Sequence, residues 1–198
     1  VKKEQQPVSA KNDGFAGGLF EDFTGNWPEN SENSILRGSE TAVPTYQLID
    51  NELDVVKIET KIPVQKKLAL FVDCSGNGPM TAKLNGLAIA VADGSVFYVN
   101  QASAVKSLLE DESIAKVGHN MKYDLTVLER SGITLKGELH DNMVAHYLIQ
   151  PEQHHEIEYL AEVYLKESLP SRQSTDQRSY SCLMAVTALR LETILTEE

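Results

Sequence analysis

Residues 68–99 read LALFVDCSGNGPMTAKLNGLAIAVADGSVFYV. The first five positions, LALFV (68–72), are all apolar. A run that short and continuous is the signature of a strand buried on both faces. LNGLAIAVA (84–92) and SVFYV (95–99) flank Asp93-Gly94, a dipeptide suited to the positive φ angles of a tight hairpin turn. The stretch therefore predicts a central strand followed by a hairpin. Upstream, YQLI (46–49) reads as a short strand and ELDVVKIETK (52–61) as a helix stopped near Pro63. Downstream, SAVKSLLED (103–111) reads as a helix with Ser103 as N-cap, and IAKVG (114–118) as a strand. NMKYDLTVLERSG (120–132) is a helix with Asn120 at its start and Gly132 just past its end. A short strand near Leu135–Leu139 precedes helices at 141–149, 155–165 and 179–196. Strands first, one helical crossover, then helices: the expected class is α/β, with a mixed central sheet flanked by helices.

The 198 residues carry a formal charge of −11, with 41% apolar and 24% charged residues, as a soluble globular chain does. No run of 18 apolar residues occurs, and no apolar segment follows the basic N-terminal residues, so neither a membrane span nor a signal peptide is expected. Two cysteines cannot build a disulfide framework, which predicts a reducing, cytoplasmic setting. The negative charge has the wrong sign for a surface that grips a phosphate backbone strongly. Residues 1–45 hold five of the twelve glycines and three of the seven prolines, and their large apolar residues (Phe15, Leu19, Phe20, Phe23, Trp27) follow no period. That composition predicts an irregular linker over 1–45 and one domain over 46–198. A linker in first position further predicts that the chain was cut from a longer polypeptide.

Three residues could carry chemistry. Asp73 ends the buried run, where open α/β sheets place their ligands; as a strand-end cap for the turn SGNGP it would be structural. Asp124 shares a helical stripe with Met121, Leu125 and Leu128, the stripe that faces the core, and a buried carboxylate needs a hydrogen-bond partner or a metal. Tyr180 shares another stripe with Leu183, Met184, Thr187 and Leu191, which taken alone is ordinary core. His140, His146, His154 and His155 show no metal-ligand spacing, and Cys74 and Cys182 have neither a CxxC partner nor an evident base. Glu110-Asp111-Glu112 reads as a solvated helix end.

VGHNMKYDLTVLERSGITLKGELHDNMVAHYLI (117–149) resembles the central segment of the 3′–5′ exonuclease domain of family A DNA polymerases, the bacterial DNA polymerase I type, and HHEIEYLAEVYLKE (154–167) resembles the helix that follows it there. Asn120, Tyr123 and Asp124 match the family's NxxYD motif. The resemblance implies a ribonuclease H-like 3′–5′ exonuclease fold. It also implies a site in which four carboxylates hold two Mg²⁺ ions, one activating water and one stabilising the leaving 3′ oxygen. Carried over, Asp73 matches the first aspartate of the DxE motif, but Ser75 stands at its glutamate. Asp124 matches the NxxYD aspartate. Tyr180 matches the tyrosine of YxxxD, but Met184 stands at its aspartate. Glu192, two turns beyond Met184, lies about 12 Å further along the helix and cannot substitute.

Two of four ligands are missing, and a thioether is a poor ligand for Mg²⁺. The resemblance therefore implies a vestigial exonuclease: Asp73, Asp124 and Tyr180 as remnants, Asp73 and Asp124 holding metal weakly or not at all, and Mg²⁺ or Mn²⁺ only if the site were active. It would be retained as a structural platform in a polypeptide of DNA replication and repair. The implied partners are the adjacent polymerase and 5′-nuclease domains, with DNA reached through the parent chain, in a monomer. Two alternatives stand beside it: a working metal-dependent proofreading exonuclease, and a module that binds single-stranded DNA or a protein. Residues 46–198 carry 14 basic against 22 acidic side chains and no basic groove interleaved with aromatics, which disfavours the DNA-binding form of the latter.

Overall fold

A computed structural model describes residues 39–62, 66–76 and 78–198; residues 1–38 of the expected linker lie outside the described residues. In chain order the elements are β1 (Ser39–Glu40), β2 (Gln47–Ile49), α1 (Val55–Glu59), β3 (Lys67–Ser75), β4 (Lys83–Val91), β5 (Val96–Val99) and α2 (Lys106–Leu109). Then come β6 (Ala115–Gly118), α3 (Met121–Arg130), β7 (Leu139–Asp141), α4 (Asn142–Ile149), α5 (Ile157–Leu160), β8 (Glu167–Ser168) and α6 (Gln177–Leu195). Six strands form a mixed sheet in the order β2-β5-β4-β3-β6-β7. β3 runs antiparallel to β4 and parallel to β6, so the apolar run 68–72 sits inside the sheet, as its composition predicts. β1 pairs in parallel with β8 as a separate two-stranded patch.

The alternation along β3 sends side chains to two cores. Leu68, Leu70 and Val72 pack with Val55 and Ile58 of α1, Leu108 and Leu109 of α2, and Val127 and Leu128 of α3. Ala69 faces the other way, onto Cys182 and Ala185 of α6, with Ala88, Ala90 and Val117 beside it. Phe71 lies on that same face and reaches a third cluster, where α5 and α6 meet around Leu160, Leu183 and Leu191. Each fully buried Leu or Val contributes about 1.5–3 kcal/mol relative to exposure.

Several local expectations are corrected. Gln101, not Ser103, holds the N-cap position; the segment enters as a 3-10 turn over Ala102–Val105, with no side-chain cap. The helix expected over 52–61 is likewise a 3-10 turn, Glu52–Asp54, capped by Asn51 and followed by α1. The strand expected near Leu135–Leu139 forms later, as β7, because Gly137 adopts φ 86° where a Cβ would fall 2.7 Å from the Ile114 carbonyl oxygen. The helix expected over 155–165 changes to a π turn at Ala161–Leu165 and stops at Lys166, which is left-handed at φ 59°.

Candidate functional site

Asp73 lies near the C-terminal end of β3 and is 2% exposed. The Tyr98 hydroxyl, reaching across from β5, donates to its Oδ2 at 2.7 Å. Gly86 makes that reach possible, since a Cβ there would sit 2.6 Å from the Tyr98 oxygen. The Asn85 amide donates to Asp73 Oδ1 at 3.4 Å, and Ser75 Oγ donates to Asn85 Oδ1 at 3.3 Å. Asn85 is the extra residue of a bulge in β4, where the pairing shifts between Asp73 and Cys74. The bulge turns the Asn85 side chain onto the face that Asp73 and Ser75 share. Burial and the Asp73 carboxylate both push the Tyr98 phenol up from its ordinary value, and the Arg178 guanidinium lies 5.3 Å from its ring centroid.

Asp124 is buried at 6% exposure on the first turn of α3. Burial holds its carboxyl well above the ordinary range; a backbone hydrogen bond at Val72 opposes this, and the Asp141 charge adds to it. Val72 immediately precedes Asp73. On the other side, Cys74 Sγ donates to the Tyr123 hydroxyl at 3.5 Å. The start of α3 therefore lies against the end of β3, and Asp73 and Asp124 flank the same two or three backbone units. What orients this helix start is Asp141. Asn120 holds the N-cap position of α3, as expected, but is left-handed at φ 58° and makes no side-chain cap bond. The Asp141 carboxylate instead accepts from the backbone N–H groups of Asn120 (2.9 Å) and Met121 (2.7 Å), and at α4 from Met143 (3.0 Å).

Tyr180 stands on the first turns of α6, edge-on to Phe71 with ring centroids 6.2 Å apart. Its hydroxyl donates to Glu158 Oε1 of α5 at 3.3 Å, and burial together with that carboxylate pushes Tyr180 up to about 12. Arg172, in the loop before α6, donates to the Cys74 carbonyl at 3.2 Å and to Gln177 at 3.0 Å, and its charge is felt at both Tyr123 and Tyr180. Asp73, Asp124 and Tyr180 are thus gathered around the last residues of β3. Met184 is fully buried among Leu160, Leu183, Ala188 and Leu191. Glu192 lies far from this end: it pairs with Lys67, at the opposite end of β3, at 2.5 Å.

These residues do not fit a two-metal centre. Both Asp73 oxygens already accept hydrogen bonds, Ser75 is bonded to an amide, and Met184 offers only a thioether inside an apolar cluster. Among the described residues no group of three or more His, Cys, Asp or Glu side chains could hold a metal ion. Two open grooves, of about 490 and 590 Å³, lie on the α1–α2 side around Glu59 and Ser107 and contain none of these residues. Cys182 is buried and its thiol is pushed up to about 12 by burial, in keeping with an inert core residue. No described helix is long and apolar enough to cross a membrane.

Asn85, Tyr98, Asp141, Glu158 and Arg172 are not among the residues that sequence reasoning singles out. Asp141 alone has a local signal, an acidic residue directly before an apolar helical run.

A family model described as 3′–5′ exonuclease matches residues 60–197. DNA polymerase I of Borreliella burgdorferi is 24% identical over 151 residues, 69% of this chain but 17% of that protein. A solved structure of the POL domain of Pol1 from M. smegmatis, in complex with DNA primer-template and dNTP, superposes with a TM-score of 0.64 at 27% identity, covering 77% of this chain and 27% of that one. Brucella melitensis NrnC with bound Mg²⁺ shares the fold at 21% identity, with a TM-score of 0.64 over 77% of this chain and 81% of its own. The chain spans about a sixth of the polymerase relative it matches. A buried β3 with Asp73 near its C-terminal end, an α3 opening on Asn120-Met-Lys-Tyr-Asp124 and a family match over most of the chain lead to one assignment: the chain belongs to the 3′–5′ exonuclease domains of the DNA polymerase I type.

Proposed function

We propose that this domain no longer hydrolyses nucleic acid and serves as a structural platform beside the polymerase domain of a DNA polymerase I polypeptide. The observation that carries the reading is Met184: the position of the family's last carboxylate is a thioether with no exposed surface, packed among leucines. Ser75, bonded to Asn85, supports it. On this reading Asp73, Asp124 and Tyr180 are remnants whose polar atoms the protein satisfies for itself, and no resident metal is required. Residues 1–45 connect to a 5′-nuclease domain, residues 46–198 form the exonuclease-like domain, and DNA is engaged through the parent chain. The polypeptide works as a cytoplasmic monomer in replication and repair.

The test is degradation of a 3′-labelled single strand by the purified chain with Mg²⁺ or Mn²⁺, alongside Asp73→Ala. No shortening above a no-enzyme control is expected from either protein. Metal-dependent shortening that Asp73→Ala abolishes would refute the proposal, because the site would then be intact.

A further inference from the structure

Two histidines outside this site are joined nitrogen to nitrogen. His146, on α4, has no exposed surface, and its Nδ1 lies 2.8 Å from Nδ1 of His155, in the loop between α4 and α5. Two imidazole nitrogens in contact accommodate one proton between them: one ring donates and the other accepts. The second nitrogen of His146, Nε2, is buried without a partner. A proton there would be a stranded donor, so the arrangement that strands none has His146 donating from Nδ1 and His155 accepting at Nδ1. His119 extends the chain of contacts. It precedes Asn120 and α3, makes a hydrogen bond to the His155 backbone, and has its own Nδ1 buried without a partner.

Among the described residues, the rings packed against His146 carry no negative charge. Its ring meets Tyr164 edge-on at 5.6 Å and Tyr159 at a tilt at 6.3 Å between centroids, and His155 packs against Tyr147 at 5.4 Å. On α6, which packs against α4, Arg190 and Glu192 are paired with Glu167 and Lys67. Asp141 and Glu156 are felt at His119 and favour its charged form, but burial outweighs both and holds His119 down at about 4. Burial, with His155 adding, also lowers His146.

We propose that His119, His146 and His155 form a proton-operated clasp that fastens residues 150–156 to α4 and to the turn before α3 at neutral pH and releases them on acidification. A second proton on the His146–His155 pair either sets N–H against N–H or places a donor at the partnerless Nε2. Both outcomes break the clasp. Because burial holds the His119 and His146 rings neutral below the unfolded pKa, the clasp is at full strength above about pH 6.5 and weakens as pH falls below it.

Hydrogen exchange on the whole chain, corrected for intrinsic rates, tests this. Protection of the hydrogen-bonded Gln150 and Gln153 amides relative to those of β3 is expected to fall at least tenfold per pH unit between roughly pH 6 and 5, since opening takes up at least one proton. His146→Phe keeps an aromatic ring in the buried position and is expected to make that pH dependence clearly shallower. Should it fail to fold, His155→Phe, at the less buried partner, is expected to do the same. A flat ratio in the unmutated chain, or an unchanged pH dependence in the folded variant, overturns the proposal.

Discussion

Replacing Asp124 by asparagine would remove a titratable group from a place where burial disfavours its charged form. Asp124 is 6% exposed, and burial, with the Asp141 charge adding, outweighs the Val72 backbone bond and holds its carboxyl well above the ordinary 3.8. From the unfolded pKa upward, the folded state therefore binds more protons than the unfolded chain. Stability falls as pH rises through that interval, and the penalty is complete above the folded pKa. A carboxamide does not titrate, so the Asp124→Asn variant escapes this loss. It can still accept the Val72 bond, but it brings an amide N–H₂ that must find a partner of its own. Setting the desolvation cost of a buried carboxylate, about 1–3 kcal/mol, against that new amide leaves a net gain of about 1 kcal/mol near pH 7.5. In a domain of this size the gain raises Tm by about 2–4 °C. The advantage should disappear by about pH 3, where both states of the parent are largely protonated. Urea melts across this range in chelator-treated protein measure it. A variant less stable than the parent by more than about 1 kcal/mol near pH 7.5 would refute the reasoning, and so would a difference that ignores pH.

Tyr98→Phe removes the hydroxyl donated to buried Asp73 and should cost about 1.5–3 kcal/mol in a urea melt; a neutral result would mean the pair contributes nothing. Asp141→Ala strips acceptors from the starts of both α3 and α4, and should cost about 2 kcal/mol or more, with α3 amides losing hydrogen-exchange protection ahead of β3. Ser75→Glu combined with Met184→Asp should lower Tm without metal through carboxylate repulsion, and about 100 Kd of Mn²⁺ should return about 2.7 kcal/mol. A folded double variant whose Tm ignores metal would show that the four positions share no pocket.

What can be read from sequence divides along a physical line. Period and run length report which way a side chain faces within its own element. The buried β3, the β4–β5 hairpin, the core stripe of Met121, Asp124 and Leu128, and the buried stripe of Tyr180, Leu183 and Met184 are all legible on that basis. Contacts set by register between elements are not. Tyr98 meets Asp73 from two strands away, across a bulge at Asn85 that no local pattern announces. Arg172 reaches the Cys74 carbonyl over a sequence separation of 98 residues. Asn120 has the residue type that favours caps, yet its backbone turns left-handed and Asp141, 21 residues on, supplies the acceptor. The histidine pair lacks metal spacing and so gives no signal in sequence, although two rings can meet without a metal.

The two faces of the sheet differ in when they can close during synthesis. The face bearing Leu68, Leu70 and Val72 is covered by α1, α2 and α3, all made before residue 131. The opposite face, with Ala69, Ala88, Ala90 and Val117, waits for α6, which begins at Gln177. At a ribosomal rate of about 5–20 residues per second, the sheet stands half-clothed for several seconds while the intervening residues are added. Small alanines on that face keep the waiting surface modest in apolar area, and they also let α6 settle close against the strands when it arrives. A ribosome that stalls between β7 and α6 would leave this bare face as the surface that chaperones meet.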